Sequence, residues 1–82
     1  MAHFKGRYWL IFNKETASRP LIYEMSKKFD VIFNIRQSSV TGDMGLIALE
    51  LEGERQIIKD VIAWFESQGV QVDPAELQTI EG

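Results

Sequence analysis

The hydrophobic period changes several times along the chain, and each change marks an element. Arg7–Asn13 (RYWLIFN) is aromatic and β-branched, so it predicts a strand. Tyr8, Leu10 and Phe12 share one face of it, and Trp9 and Ile11 share the other. Lys14–Ala17 reads as a polar connection. Ser18-Arg19-Pro20 predicts a helix start, with Ser18 as N-cap and Pro20 in the first turn. Leu21, Ile22, Met25 and Phe29 follow at helical spacing, with Glu24, Lys27 and Lys28 outward. Val31–Thr41 predicts a second strand, and Thr41-Gly42-Asp43 a turn. Gly45–Leu51 (GLIALEL) predicts a third strand, ended by Gly53. A second helix is expected over about 54–68, with Ile57, Ile58, Val61, Ile62 and Phe65 as its apolar stripe. Gly69 sits where a helix stop takes positive φ. Val70 and Val72 form a short last strand closed by Pro74, and the polar residues 75–82 are expected to fray.

The order β-α-β-β-α-β, with right-handed crossovers, predicts an α+β ferredoxin-like sandwich. Two helices cover one face of a four-stranded antiparallel sheet. The helix-facing set is Tyr8, Leu10, Phe12, Val31, Phe33, Ile35, Ile47, Leu49, Leu51, Val70 and Val72. Trp9, Ile11, Ile32, Asn34, Arg36, Leu46, Ala48 and Glu50 face away. That open face is too apolar to leave wet, which predicts a homodimer through Trp9, Ile11, Ile32, Leu46 and Ala48. The domain is expected to span residues 6–74.

Composition narrows the function. Eighty-two residues make one small domain, which buries only about 60–65% of its unfolded surface and so gains from self-association. The chain has no cysteine, which excludes zinc–thiolate sites, iron–sulfur clusters and thiol nucleophiles. A net charge of −3 offers no basic face for nucleic acid. Apolar runs are far too short to span a membrane, and Met1–Arg7 lacks a signal-peptide core, so a cytoplasmic location is expected.

No nucleophile elbow, phosphate loop, dinucleotide fingerprint or metal-ligand spacing occurs, so no catalytic residue, metal or cofactor is expected. His3 reads as a terminal polar residue with no fixed partner, and Glu50, Glu52 and Glu54 as a solvated acidic face. Asn34 is either an exposed strand asparagine or a specific polar group in an apolar site. Arg36 is placed to meet Glu50 across the hairpin. Trp9 is either simple packing or an interface anchor.

Several of these residues match one family in order and spacing. Phe12 ends a first strand, and Pro20-Leu21 opens the first helix. Phe29 precedes a strand carrying Asn34-Ile35-Arg36, and Gly45 begins one ending Leu51-Glu52-Gly53. Ile62-Ala63-Trp64-Phe65 and Gly69-Val70-Gln71-Val72 close the pattern. Tyr8–Pro74, about four-fifths of the chain, resembles the NIL domain, best known at the C-terminus of the ATPase subunit of methionine-import ABC transporters.

The namesake tripeptide is Asn-Ile-Leu, so Arg36 departs from it, and Asp30 stands where many members have glycine. The resemblance implies an ACT-like ferredoxin fold, pairing of domains, and binding of methionine that inhibits transport. Carried over by position, it implies a ligand site of Asn34, Ile35, Arg36, Val40, Leu46 and Ile47. The Arg36 guanidinium either binds a carboxylate or fills the pocket. The expected function is therefore a stand-alone, non-enzymatic regulatory domain. It binds methionine or a related sulfur amino acid at or near a dimer interface. The alternative is a ligand-free adaptor that docks another protein.

Overall fold

A computed structural model of the chain describes residues 3–75 and 79–81. The elements are β1 (His3–Phe12), α1 (Lys14–Ala17), α2 (Leu21–Lys28), β2 (Ile32–Thr41), β3 (Met44–Glu54), α3 (Arg55–Ser67), β4 (Gln71–Pro74) and β5 (Thr79–Glu81). The sheet is antiparallel in the order β2-β3-β1-β4, the ferredoxin-like arrangement. β3 pairs with β1 along its whole length. The other edge of β1 is shared, by β4 against Tyr8–Ile11 and by β5 against His3–Lys5.

The core lies between the sheet and α2 and α3. Phe4, Tyr8, Leu10, Phe12, Leu49 and Leu51 are buried on that face, with Leu21, Met25, Ile58, Val61 and Phe65 above them. Each such side chain contributes about 1.5–3 kcal/mol by leaving water. Trp64 closes the far side of the helix layer, edge-on to Phe29 at 6.2 Å and to Phe65 at 5.1 Å.

The segment expected to be a polar connection is helical. Asn13 caps α1: its side chain accepts from the Thr16 backbone N–H, while the Thr16 hydroxyl accepts from the Asn13 N–H, each at 2.9 Å. This reciprocal box satisfies two donors that a helix start otherwise leaves open. Ser18 therefore ends α1 and does not begin α2, whose cap position is Pro20. The helix layer holds three helices in place of the two expected. The expected frayed tail is also corrected over 79–81, which form β5 and widen the sheet to five strands; residues 76–78 and 82 lie outside the described residues.

Gly69 takes φ +96°, as the helix stop requires, and Gly42 takes φ +59° in the β2–β3 turn. Asp30 needs no such geometry. Phe29 already leaves α2 in an extended conformation, and every described positive φ belongs to glycine.

A bulge in β2 changes the expected alternation. Pairing steps from Ile35↔Leu49 to Gln37↔Ala48, so Arg36 and Gln37 together oppose Ala48. Beyond it the phase reverses, and Ser38 and Val40 lie opposite Ile47 and Gly45 on the helix side. Ile35 belongs to the helix face as expected, but it is 52% exposed, because α1 and α2 do not extend over this part of β2.

Candidate functional site

The bulge builds a cleft. Ile35, Ser38 and Val40 from β2, with Gly45 and Ile47 from β3, form its floor. Thr16 and Ala17 of α1, with Arg19 to Tyr23 leading into α2, form its wall, and Phe12 closes it toward β1. The space is about 320 Å³. Its mouth is apolar: Val40 is 78% and Tyr23 61% exposed.

Polar side chains around this cleft are few: Thr16, Arg19, Tyr23 and Ser38, of which Thr16 and Arg19 are held by hydrogen bonds. The Thr16 hydroxyl is held by Asn13. Arg19, the one charged residue of the lining among the described residues, donates through Nη2 to Gln68 Oε1 at 2.8 Å and stands 3.7 Å from Glu24 Oε1. The cleft is therefore suited to the apolar part of a small molecule.

Of the six residues expected to form one ligand site, the structure brings Ile35, Val40 and Ile47 together here. Asn34, Arg36 and Leu46 lie across the sheet on the open face. The wall residues Leu21, Ile22 and Tyr23 are absent from the sequence-based set. Tyr23 carried a signal: it is a large apolar side chain off the buried stripe of α2.

The open face is the second candidate. Ile32, Met44 and Leu46 are exposed there, while Trp9 and Ile11 are half-buried. Ala48, expected to need a second copy to cover it, is only 2% exposed in the single chain. Its small side chain sits between Trp9 and the bulge residues, which shield it.

Two acidic residues of β3, Glu50 and Glu52, have partners, so the solvated acidic run is corrected at those positions. Glu50 does not meet Arg36; it pairs with Arg7 of β1 at 3.2 Å. Glu52 pairs with His3 Nε2 at 2.6 Å, so His3 has a fixed partner after all. That hydrogen bond, aided by the charges of Lys5 and His3, holds the Glu52 carboxyl below the usual carboxylate range against a smaller opposing effect of desolvation. Among the described residues, no group of three His, Asp or Glu could hold a metal ion. No helix among them is long and apolar enough to cross a membrane.

With this geometry in place, a family model for the NIL domain matches residues 7–74. The chain belongs to the NIL domain family. Among solved structures, this NIL domain is similar to the C-terminal domain of an ABC transporter ATP-binding protein from Enterococcus faecalis. The TM-score is 0.76 at 24% identity, over 85% of this chain and 82% of that one. At that identity the likeness shows the fold. No curated protein sequence matches the chain.

Proposed function

We propose that this NIL domain is a non-enzymatic, cytoplasmic regulatory domain. In this reading it takes methionine or a related sulfur amino acid into the cleft and acts as a homodimer. Membership of the NIL family supports the regulatory role, and a relative that is part of an ABC transporter ATP-binding protein supports a link to transport. The observation that carries the ligand is the apolar cleft, whose exposed residues Ile35, Val40 and Tyr23 converge on one space. An unbranched thioether chain suits such a space, because it is apolar and bends easily. Asn34, Arg36 and Leu46 then serve the contact between copies. Cleft and contact are near each other, because alternate residues of β2 serve the two faces.

Titration calorimetry with methionine, homocysteine and norleucine tests the reading. Saturable heat is expected with at least one of them. Val40→Asp should abolish it by setting a carboxylate in the apolar mouth, and Asn34→Ala should leave it unchanged. Heat that survives Val40→Asp but is lost in Asn34→Ala would move the site to the open face. No heat from folded protein would leave the adaptor, which the exposed Ile32, Met44 and Leu46 favour.

A further inference from the structure

A second hollow, of about 320 Å³, shares no lining residue with the cleft. Phe4 and Tyr8 of β1 line one side of it, and Arg55, Ile58, Lys59 and Ile62 of α3 line the other. Those four helix residues stand at i, i+3, i+4 and i+7, the spacing of one helix face. Ile58 belongs to the core and Ile62 is half-buried, while Arg55 and Lys59 are exposed. Among the described residues no acidic residue lines the hollow. We propose that it binds a small phosphate monoester, whose oxygens meet Arg55 and Lys59 and whose apolar body lies against Ile62. This goes beyond the reading above and does not depend on it.

The two cations stand where the helix itself gains nothing from them. Arg55 is the first residue of α3, where the helix dipole disfavours positive charge, and the first turn holds no acidic residue to offset it. Like charges four residues apart also repel along one face. Among the described residues neither side chain makes a hydrogen bond or an ion pair. The nearby acids are occupied elsewhere: Glu54 lines a separate hollow with His3, and Asp60 accepts from Gln56 at 3.0 Å. Arg7 and Arg19, by contrast, each have a glutamate partner. Local choices that cost stability without a structural return are those expected at a binding site.

Arg55 is already held in place. Its guanidinium lies over the Phe4 ring, 5.1 Å from the centroid, a contact that engages none of its N–H donors. The guanidinium fork matches the oxygens of a phosphate, and the Lys59 ammonium adds a point charge one turn along the helix. Two cations suit a dianion. A phosphate monoester carries about −1.5 to −2 charges at pH 7, more than a single carboxylate. The size of the hollow is near the lower end of ligand sites, so it admits a small molecule. The whole chain carries a net −3, so this is a local field and not a general attraction for anions.

Amide NMR titration of the native chain with phenyl phosphate, inorganic phosphate and benzoate tests the site. Phenyl phosphate should move the signals of Arg55, Ile58, Lys59 and Ile62 saturably and leave those of Ile35 and Val40, in the cleft, unmoved. Benzoate, with one charge, should bind about tenfold more weakly. Inorganic phosphate, which has no apolar body, should bind about threefold more weakly or less well still. Lys59→Gln and Arg55→Gln should each weaken phenyl phosphate about tenfold, and raised salt should weaken it further. Both positions are exposed, and Lys59→Gln leaves the contact of Arg55 with Phe4 intact. Far-ultraviolet circular dichroism checks that the variants are folded. No saturable shift with phenyl phosphate, or a shift unchanged in Lys59→Gln, would overturn the site. Benzoate binding as tightly as phenyl phosphate would overturn the dianion, and inorganic phosphate doing so would overturn the apolar contact with Ile62. Calorimetry with methionine reports on the cleft independently, so either reading can fail without the other.

Discussion

His3 and Glu52 show how a single residue acquires meaning from its register. Nothing local marks His3, yet β1 begins at that position and brings its ring to the β3 carboxylate. The bond lowers the Glu52 pKa, so its stabilising effect is present above the usual carboxylate range and fades as pH falls through the depressed value. In His3→Ala, carboxyl-detected NMR should show the Glu52 midpoint moving up toward an ordinary glutamate. A native midpoint already at the ordinary value would contradict the contact. Arg36 is the opposite case: its charge invites a cross-strand pair with Glu50, but the bulge shifts its place and Arg7 takes the glutamate.

At the scale of elements, the connection from β1 to α2 and the end of α3 depend on each other. Gly69 has φ +96°, and a Cβ there would lie 3.4 Å from the Thr16 methyl group of α1. Gly69→Ala should therefore destabilise the fold by about 1 kcal/mol or more, read as a lower urea midpoint with unchanged slope. An unchanged midpoint would mean that α1 yields at no cost. The amphipathic stripes of α2 and α3 were plain in the sequence, because each needs only a few local residues at helical spacing. α1 was not, because its capping box joins Asn13 to a threonine in a stretch with no apolar stripe.

On the scale of the whole molecule, a small core makes each buried side chain count. Leu49 is fully buried in the core between the sheet and the helix layer. Leu49→Ala should cost about 2–5 kcal/mol, a large share of the roughly 5–10 kcal/mol a domain of this size holds. Thermal unfolding would show it as a fall in midpoint of about 8–40 °C, at ~4–8 °C per kcal/mol. A fall of only a few degrees would mean that the core collapses into the gap. If the chain forms the proposed homodimer, the native midpoint should also rise with protein concentration.

The sequence by itself determined the order of the four main strands and of α2 and α3, and most of the helix-facing core, because period, glycine placement and right-handed crossover are local or generic. The family was legible in the order and spacing of its motifs. The sequence also placed Gly69 and the β2–β3 turn, where backbone geometry admits few residues. Only the tertiary structure decided which face each ligand candidate occupies. The bulge at Arg36 is one extra residue in a strand, invisible to an alternation read from one chain, and it turns Val40 toward the helices. The same holds for β5, whose backbone finds its partners on the distant first residues of β1. A period of two states which residues share a face only while pairing stays in step, and it is the neighbouring strand that keeps or breaks that step.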